Sequence, residues 1–467
     1  MNVVDTLVIG AGISGLSAAY ELTKRSRTCA ILEPGAQAGG VIGTRRRDAF
    51  LYEMGPNSTL DTTPLINALL KDLGIANERV DASAVSATRY IVRGGNLVAL
   101  PGSPGAFFTT PAFKLKAKLR LFGEPFIART PVGVDESIAA FVRRRLGTEF
   151  LDYAIDPFVA GIYAGDPERI SVGAAFPKLL ALEQAHGSLI KGQIVGARAR
   201  KKNKEVAKNV AASFSFRGGM QTLTDALAKA LPPIEYGTTV HRVARDSEGT
   251  FNVEGARNGT PVAWRARSVV LAAPAYAAAA MVAGMAPDAA AALAGIEYAP
   301  IAIVASAYQR SDVAHSLAGF GFLVRKREHH HILGCLFSSS MFDGRAPEGS
   351  VLLTSFAGGR RNPEVAAASD VEIATSVRAE LAARLGAHGA PLWQEVVRWP
   401  RAIPQYDIGH LDRVRRIDAA QAAVPGLYFC ANYRDGVAVG DRIKGGHTSA
   451  EQVDAFLAAR AKTGESP

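Results

Sequence analysis

The sequence predicts a multi-domain fold of the α/β (α+β) class that begins with a Rossmann-type unit, and three observations predict it. The first 33 residues show the pattern of strand, glycine-rich turn, helix and strand, which is a βαβ unit. Alternating apolar runs between residues 301 and 356 indicate an antiparallel sheet. A helical, basic stretch at residues 109–146 differs from both of its flanks. The 467 residues, 48% of them hydrophobic, supply enough apolar side chains for two or three cores.

The N-terminal unit carries a glycine motif where its first strand turns into its helix. Residues 5–9 predict a short apolar strand, residues 14–25 a helix and residues 28–33 a second strand. The motif consists of Gly10, Ala11, Gly12, Ile13, Ser14 and Gly15. Its first glycine makes the tight turn, its second lets the backbone approach a pyrophosphate, and its third lets the helix pack on the strand. Glu33 closes the second strand, where a carboxylate accepts hydrogen bonds from a ribose. The unit therefore predicts a dinucleotide site.

A strand and a helix near the C-terminus indicate which dinucleotide binds. Residues 426–431 predict a strand, residues 432–436 a loop, and a helix starts at Val439. The N-terminus of that helix carries a partial positive charge, which stabilises an anionic reduced flavin. Because a nicotinamide enzyme has no need of such a segment, we predict FAD as the cofactor.

Composition bears on location and partners. The net charge of +10 is compatible with acidic small molecules, anionic lipid or nucleic acid. The densest basic run, residues 198–204, has no interleaved aromatic residues, so we predict a solvated loop there and no nucleic-acid site. Cys29, Cys335 and Cys430 lie in separate apolar runs, which predicts buried thiols in a reducing compartment, the cytoplasm. No leader and no membrane-spanning segment are expected.

Three consecutive histidines, residues 329–331, raise the question of a metal site. Neighbouring residues in a strand face opposite sides, and no acidic or cysteine partner lies at ligand spacing. We therefore predict the end of a hairpin here and no metal.

Six further segments along the chain carry a family signature. They are GPNS (55–58), PFVAGIYAGDP (157–167), SFRGGMQTL (215–223), FSSSMF (337–342), IPQY (403–406) and NYRDGVAV (432–439). In this order they resemble the protoporphyrinogen oxidases of the plant-like, oxygen-dependent type, within the flavin amine oxidase superfamily. The resemblance implies oxidation of protoporphyrinogen IX to protoporphyrin IX in haem or chlorophyll synthesis. Six electrons would pass through FAD to dioxygen, which would leave as three hydrogen peroxides.

The resemblance also implies site residues. Besides the glycine motif and Glu33, FAD would contact Gly40, Val41, Gly55, Pro56, Asn57, Ser58, Val240, Trp399, Val437, Ala438 and Val439. The porphyrinogen would contact Arg89, Gly161, Leu323 and Phe337. Arg89 suits a propionate, because a guanidinium offers two parallel hydrogen bonds, and the two apolar side chains would sandwich the macrocycle. No protein nucleophile or general base is named, because hydride passes to flavin N5 and the protein supplies positioning and exclusion of water.

The chain departs from the family between its second strand and the Gly39-Gly40 pair. Gly35 and Gln37 stand where the family carries arginines, so one cationic contact to the phosphates is expected to be missing. The run of arginines at residues 45–47 either compensates or forms a solvated hairpin.

Other functions stay open at this point. A coproporphyrinogen III oxidase would need more basic residues around its pocket, because its substrate carries four carboxylates. An oxidase of the amine oxidase type would show a covalent-flavin cysteine or an aromatic cage. A non-catalytic tetrapyrrole or flavin carrier belongs to a different class altogether.

We expect a discontinuous FAD-binding domain (residues 1–88, 205–295 and 395–467), a substrate-binding domain (89–108 and 296–394) and a helical lobe (109–204). In the lobe, residues 114–120 form either an amphipathic helix on a membrane surface or a solvated helix face. The first alternative would place the protein peripherally on the inner face of the cell membrane. Further expected partners are dioxygen, a second copy of the chain in a homodimer, and the next enzyme of the pathway.

Overall fold

The computed structural model describes residues 3–102, 104–203, 211–325 and 331–462. The strands in these ranges are β1 (Val3–Ile9), β2 (Cys29–Leu32), β3 (Thr44–Arg47), β4 (Phe50–Glu53), β5 (Thr59–Leu60), β6 (Arg79–Asp81), β7 (Arg89–Arg93), β8 (Asn96–Ala99), β9 (Ser213–Phe216), β10 (Ile234–Glu235), β11 (Thr238–Arg245), β12 (Phe251–Arg257), β13 (Thr260–Leu271), β14 (Tyr298–Gln309), β15 (Gly321–Leu323), β16 (Ile332–Leu336), β17 (Ser350–Gly358), β18 (Trp393–Pro404) and β19 (Leu427–Phe429).

The α-helices are α1 (Ile13–Lys24), α2 (Pro64–Asp72), α3 (Pro104–Thr109), α4 (Leu115–Arg120), α5 (Ile138–Arg145), α6 (Thr148–Phe150), α7 (Asp156–Tyr163), α8 (Val172–Ala175), α9 (Pro177–His186), α10 (Leu189–Asn203), α11 (Gln221–Lys229), α12 (Ala275–Val282), α13 (Pro287–Ala294), α14 (Ser338–Met341), α15 (Pro363–Ala367), α16 (Asp370–Leu385), α17 (His410–Ala423) and α18 (Val439–Lys462). Among the described helices, none is long and apolar enough to cross a membrane.

The first large sheet is built on the N-terminal βαβ unit. Its strand order is β10-β2-β1-β13-β12-β11, with β19 on β13, and β1 runs parallel to both β2 and β13. Val8 packs into one core with α1 and α18, whereas Leu7 and Ile9 pack into a second core with α12 and α13. Burial on both faces explains why β1 is a continuous apolar run. Because β19 is parallel to β13, both termini of the chain contribute to one sheet, as the sequence predicted.

The second large sheet has the order β18-β14-β17-β16-β15-β7-β8. Its strands are antiparallel, except that β15 runs parallel to β7. Along β14, Ala302 and Val304 face a core that includes α16, while Ile301 and Ile303 face α7 on the other side. This sheet confirms the one predicted from the apolar runs between residues 301 and 356.

Strand β18 contains two prolines, Pro400 and Pro404, and pairs with β14. Proline is tolerated because β18 is the edge of the sheet, where one side of the strand needs no backbone donors. The strand also crosses the proposed domain boundary at residue 395, and the division into domains stays a prediction.

The helical lobe is more broken than expected. Residues 109–146 form two short helices, α4 and α5, with a 3₁₀ turn at Leu121–Phe126 after the first. The guanidinium of Arg145 is fully buried and pairs with the carboxylates of Glu124 and Glu183. The basic run that begins at Arg198 is helical as far as Asn203, so the predicted loop is wrong there. The prediction considered only the charge of this run, whereas lysine and arginine also have a high propensity for helix. Lys204 lies outside the described residues.

Candidate functional site

The glycine turn between β1 and α1 has the geometry that the motif predicted. Gly10 has a φ of +106°, and a methyl group added at Gly15 would lie 1.9 Å from the Gly10 carbonyl oxygen. These two glycines are therefore required by the backbone itself. A methyl group added at Gly12, in contrast, would have nothing within 4 Å. Gly12 is also the N-cap of α1 and supplies no side-chain cap, so the first amides of α1 are left for a ligand.

Glu33 lies beneath this turn. Its Oε2 accepts a hydrogen bond from Ala11 N at 2.8 Å, and its Oε1 accepts one from Gly35 N at 2.8 Å. Each carboxylate oxygen keeps a lone pair for a ribose hydroxyl. Strand β11 starts beside it, because Thr238 N donates to Glu33 O at 2.9 Å, and Val240 follows two residues later with 6% of its surface exposed.

A loop at residues 39–43 covers one side of Gly12. Gly39 N donates to Ala11 O at 2.8 Å, and a methyl group added at Gly40 would lie 3.3 Å from Gly12 Cα. Val41, the next residue, has 44% of its surface exposed. Gly40 therefore lies beside Gly12 and the exposed Val41 follows it, and the contact of both residues with FAD stays a prediction.

The GPNS segment packs on that loop. A methyl group at Gly55 would lie 1.9 Å from the Val41 carbonyl oxygen. Within the segment Asn57 Nδ2 donates to Gly55 O at 3.3 Å, and Ser58 Oγ lies 3.1 Å from Ser213 Oγ. Pro56 is half-buried between them. The glycine motif, Glu33, the loop at residues 39–43 and the GPNS segment therefore lie in one region, and their contacts with FAD stay predictions.

The C-terminal segment reaches the same region. Cys430 Sγ lies 4.0 Å from Ser14 O, and a methyl group at Gly446 would lie 2.6 Å from Ser17 Cβ, so α18 packs closely on α1. Val439, the first residue of α18, belongs to the core that also contains Ile13. Val437 is half-buried and Ala438 is exposed. The first turns of α1 therefore pack against α18 near Gly446, and the start of α18 belongs to the same core.

Trp399 joins this region to the second sheet. The side chain lies on β18, packed with Ile301 and Leu333 on the side of the sheet that faces α7. Its Nε1 donates to Met54 O at 2.7 Å, immediately before Gly55. The face of the second sheet that α7 covers is therefore tied to the edge of the predicted flavin site.

Three of the four predicted substrate residues lie on that face. A methyl group at Gly161, on α7, would lie 2.9 Å from Leu323 Cδ2. In the register of β15 and β7, Leu323 is beside Ile91 and Gly321 is beside Arg89, so Arg89 and Leu323 share one face. Arg89 is exposed, with its guanidinium 5.2 Å from the centre of the Phe320 ring.

Phe337 lies elsewhere. Its ring is fully buried and packs against Phe322 at a centroid distance of 6.3 Å. Because Phe322 and Leu323 are consecutive in a strand, they face opposite sides of the sheet. The structure therefore does not bring Leu323 and Phe337 to a common surface, and a substrate contact of Phe337 stays a prediction.

The arginines at residues 45–47 form the hairpin alternative. Arg45 pairs with the Glu395 carboxylate, and the Arg47 guanidinium lies 5.3 Å from the Trp393 ring centre. Both partners belong to β18, so these two side chains are engaged with the second sheet. These contacts give no support to the alternative in which this run compensates for the arginines that the family carries at the positions of Gly35 and Gln37.

Sequence reasoning missed a buried ion pair below the site. Glu53 ends β4 with 2% of its surface exposed and accepts hydrogen bonds from Thr44 Oγ1 at 2.6 Å and Met220 N at 3.0 Å. Arg345 Nη2 lies 3.6 Å from Glu53 Oε1. Burial raises the pKa of Glu53 from its ordinary 4.5 to about 7, although the two donors and Arg345 oppose the shift. No local pattern marks this pair, because its members are about 290 residues apart.

Two smaller expectations can also be checked. The three cysteines are buried free thiols, as predicted. Across the described residues, no group of three or more histidine, cysteine, aspartate or glutamate side chains could hold a metal ion. His331 is exposed, and His329 and His330 lie outside the described residues.

Comparison with known proteins defines the class. Residues 13–454 match the family of flavin containing amine oxidoreductases. A solved structure from Exiguobacterium sp. 255-15 has the same fold, with a TM-score of 0.80 at 23% identity over 97% of this chain and 99% of that one. The cyclohexylamine oxidase of Brevibacterium oxydans IH-35A does so with a TM-score of 0.70 at 17% identity over 98% and 99% of the two chains. The chain belongs to the flavin-containing amine oxidoreductase family.

Relatives narrow the class. "Protoporphyrinogen oxidase 2, chloroplastic/mitochondrial" of Arabidopsis thaliana is 32% identical over 96% of this chain and 94% of its own length. "Coproporphyrinogen III oxidase" of Bacillus subtilis is 28% identical over 97% and 98%. The protein is thus a flavin oxidoreductase with FAD as its cofactor, and the open surface at Gly12, the Glu33 carboxylate and the uncapped start of α1 fit that group.

Proposed function

We propose that this protein oxidises protoporphyrinogen IX to protoporphyrin IX, with dioxygen as the electron acceptor. The observation that carries the proposal is the hydrogen bond from Trp399 to Met54 O. It ties the face that holds Arg89, Leu323 and Gly161 to the loop predicted to contact the flavin. A substrate bound on this face would lie next to the flavin site. The protoporphyrinogen oxidases among the relatives support the choice of substrate.

The residues of this face have simple tasks. Arg89 would bind one propionate, since its guanidinium is exposed and offers parallel donors. Leu323 would pack against the apolar macrocycle, and the absence of a side chain at Gly161 lets Leu323 lie close against α7, since a methyl group at Gly161 would be 2.9 Å from Leu323 Cδ2. FAD, when bound, accepts the three electron pairs that the substrate loses and passes them to dioxygen, which gives three hydrogen peroxides. The protein's own contribution is to orient the substrate and exclude water.

Coproporphyrinogen III is the second candidate substrate, and one observation favours it. Two more guanidiniums lie near the proposed face: Arg93 is on the same side of β7 as Arg89, and Arg93 and Arg325 are each 4.2 Å from the ring centre of Tyr153. A substrate with four carboxylates requires such additional cations. Arg93 Nη2 already pairs with Glu149 Oε1 at 3.2 Å, so Arg93 is less available to a carboxylate of the substrate. Protoporphyrinogen IX therefore remains the preferred substrate of the two.

One assay compares the candidates. Purified protein is incubated aerobically with protoporphyrinogen IX or coproporphyrinogen III, and porphyrin fluorescence and hydrogen peroxide are followed. We expect faster formation of protoporphyrin than the non-enzymatic rate, with peroxide at three per porphyrin. A preference for coproporphyrinogen III would make that compound, and not protoporphyrinogen IX, the proposed substrate. Peroxide formed only with a primary amine would replace the proposal by an amine oxidase, and protein without flavin absorbance would refute every oxidase assignment.

We also propose peripheral contact of the helical lobe with a membrane. Five large apolar side chains are exposed around α4 and the turn that follows it: Phe108, Leu115, Leu119, Phe122 and Phe126, from 57% to 88%. Lys118, on the same helix, points inward and donates to the carbonyls of Phe108 and Thr110. This arrangement leaves apolar groups outward and suits a lipid surface.

The membrane proposal is tested with vesicles that contain anionic lipid. Replacing both Phe122 and Phe126 by serine should weaken sedimentation with vesicles at least about tenfold, because each phenylalanine contributes about 1.5–3 kcal/mol when buried. Phe158→Ser, at a phenylalanine 45% exposed on α7, is the control. Equal binding by the double variant and the control would refute this surface. Location in the cytoplasm, homodimerisation and contact with the next enzyme of the pathway stay predictions.

A further inference from the structure

The loop that connects β19 to α18 is held from behind by three buried side chains. Three consecutive carbonyl oxygens, at residues 431–433, each accept a hydrogen bond from a different one. Arg442 Nη1 donates to the first at 2.6 Å, Tyr406 Oη to the second at 2.6 Å, and His410 Nε2 lies 2.8 Å from the third. Tyr406 and His410 are 1% exposed and Arg442 is 3% exposed. We call these three side chains the loop clamp.

Tyr406 makes a second contact with the loop. Gly436 N donates to its hydroxyl oxygen at 3.1 Å, so one hydroxyl joins both ends of the turn at residues 432–436. Gly436 has a φ of +113°, and a methyl group there would lie 2.4 Å from Asp441 Oδ2. The backbone of the turn is thus fixed by the clamp on one side and by close packing on the other.

His410 supports Tyr406 and holds the loop itself. The two rings are stacked, with centroids 4.3 Å apart and an interplanar angle of 12°. Because a carbonyl oxygen only accepts, Nε2 must carry the proton that is donated to Tyr433 O. Burial lowers the pKa of His410 to about 4, so the ring is neutral near pH 7 and Nε2–H is its single donor.

Two members of the clamp are close in sequence, since Tyr406 and His410 are four residues apart, and the third, Arg442, is more than 30 residues away. Tyr406 follows β18, His410 begins α17, and Arg442 is on the first turn of α18. The hydrogen bonds of the clamp do not involve the amides of residues 437–439. A loop held in one shape spares a ligand the entropic cost of ordering it.

We propose that Tyr406, His410 and Arg442 are positioning residues for the cofactor. They fix the backbone of residues 431–436, and thereby aim the amides at the start of α18 towards the flavin. The inference rests on the proposed flavin contact of Val437, Ala438 and Val439, and it adds that the contact is preorganised by side chains that do not touch the flavin.

The test compares two matched tyrosine variants. Tyr406→Phe keeps the stacked ring and removes the hydroxyl that joins the loop. Tyr428→Phe removes another buried tyrosine hydroxyl, which donates to Gln452 O on α18 at 3.2 Å and lies outside the clamp. The holoenzyme is diluted well below its unfolding temperature, and release of fluorescent FAD gives the dissociation constant. We expect FAD to bind about five- to tenfold more weakly in Tyr406→Phe, the size of one hydrogen bond, and unchanged in Tyr428→Phe.

A second pair separates positioning from general stability. Arg442→Met should weaken FAD binding and Arg442→Lys should restore most of it, since lysine still donates to Ala431 O, while the KM for the porphyrinogen stays constant in both. Wild-type FAD affinity in Tyr406→Phe and Arg442→Met would overturn this inference and leave the proposed function untouched. A wild-type protein that binds no FAD would instead overturn the proposed function. If Arg442→Met fails to fold, the tyrosine pair decides.

Discussion

Glu53 makes stability depend on pH in a direction opposite to that of most carboxylates. Its carboxyl group is buried with a pKa of about 7, against an ordinary 4.5, because burial outweighs the donors from Thr44 and Met220 and the nearby Arg345. The folded protein therefore holds this proton more tightly than the unfolded chain does. Between pH 4.5 and 7 the folded state binds more protons, so the free energy of unfolding falls as pH rises through this window.

The magnitude follows from the two pKa values. Each pKa unit is about 1.4 kcal/mol, so Glu53 should destabilise the protein by about 3 kcal/mol at pH 8 relative to pH 4. Glu53→Gln removes the titration and keeps the shape. The amide oxygen can accept from Met220 N, and the amide nitrogen can donate to Thr44 Oγ1. We therefore expect the variant to gain stability relative to wild type as pH rises from 5 to 8.

The assay is urea unfolding of both proteins with FAD in excess at several pH values. The dependence of the unfolding free energy on urea concentration is fitted with one common slope for both proteins. The readout is the difference between the midpoints of variant and wild type. Glu364→Gln, at an exposed carboxylate, corrects for the loss of one negative charge. A difference that is the same at pH 5 and pH 8 would show that Glu53 does not titrate in this window and would refute the reasoning.

Three further predictions concern the cofactor and the substrate. Gly12→Ala should fold normally yet bind FAD about 10–100-fold more weakly, because the methyl group fills the open surface. Gly15→Ala should instead lower the melting temperature of the apoprotein. Normal FAD binding by Gly12→Ala together with a normal melting temperature of Gly15→Ala would contradict the proposed site. Glu33→Gln should weaken FAD binding about tenfold, because the amide nitrogen cannot accept a hydrogen bond from a ribose hydroxyl, and an unchanged rate of flavin release would show that Glu33 does not bind the ribose. Arg89→Ala should raise the KM for the porphyrinogen about tenfold with a smaller change in kcat, and an unchanged KM would take Arg89 off the substrate face.

The βαβ unit could be predicted because its evidence is local. Strand, turn and helix follow one another, and the glycines of the turn are required by contacts within a few residues. Strands β14 to β17 of the second sheet were predictable for the same reason, since each is its own apolar run. Strand β18 was not, because its prolines suggest a break unless the strand is known to be an edge.

The site divides in the same way. Segments that carry motifs lie close together, since Gly40 is beside Gly12 and Gly55 packs on Val41, while their contacts with FAD stay predictions. Phe337 shows the limit of carrying roles over by position, because the face on which a side chain lies depends on strand register. The Glu53 and Arg345 pair and the loop clamp could not be predicted at all. Burial and the identity of a distant partner are properties of the folded chain, and one sequence does not show them.

The clamp and the missing arginines bear on the same question, which is how this chain holds its cofactor. Gly35 and Gln37 supply no cation to the phosphates, and Arg45 and Arg47 are engaged with β18. The backbone supplies donors as well, through the amides at the start of α1 and of α18, each helix end contributing about 0.3–2 kcal/mol towards an anion. Such contributions count only while the amides stay aimed at the ligand. A chain that relies on helix ends in place of arginine side chains therefore depends more on a loop that is already ordered, which is the state that Tyr406, His410 and Arg442 enforce.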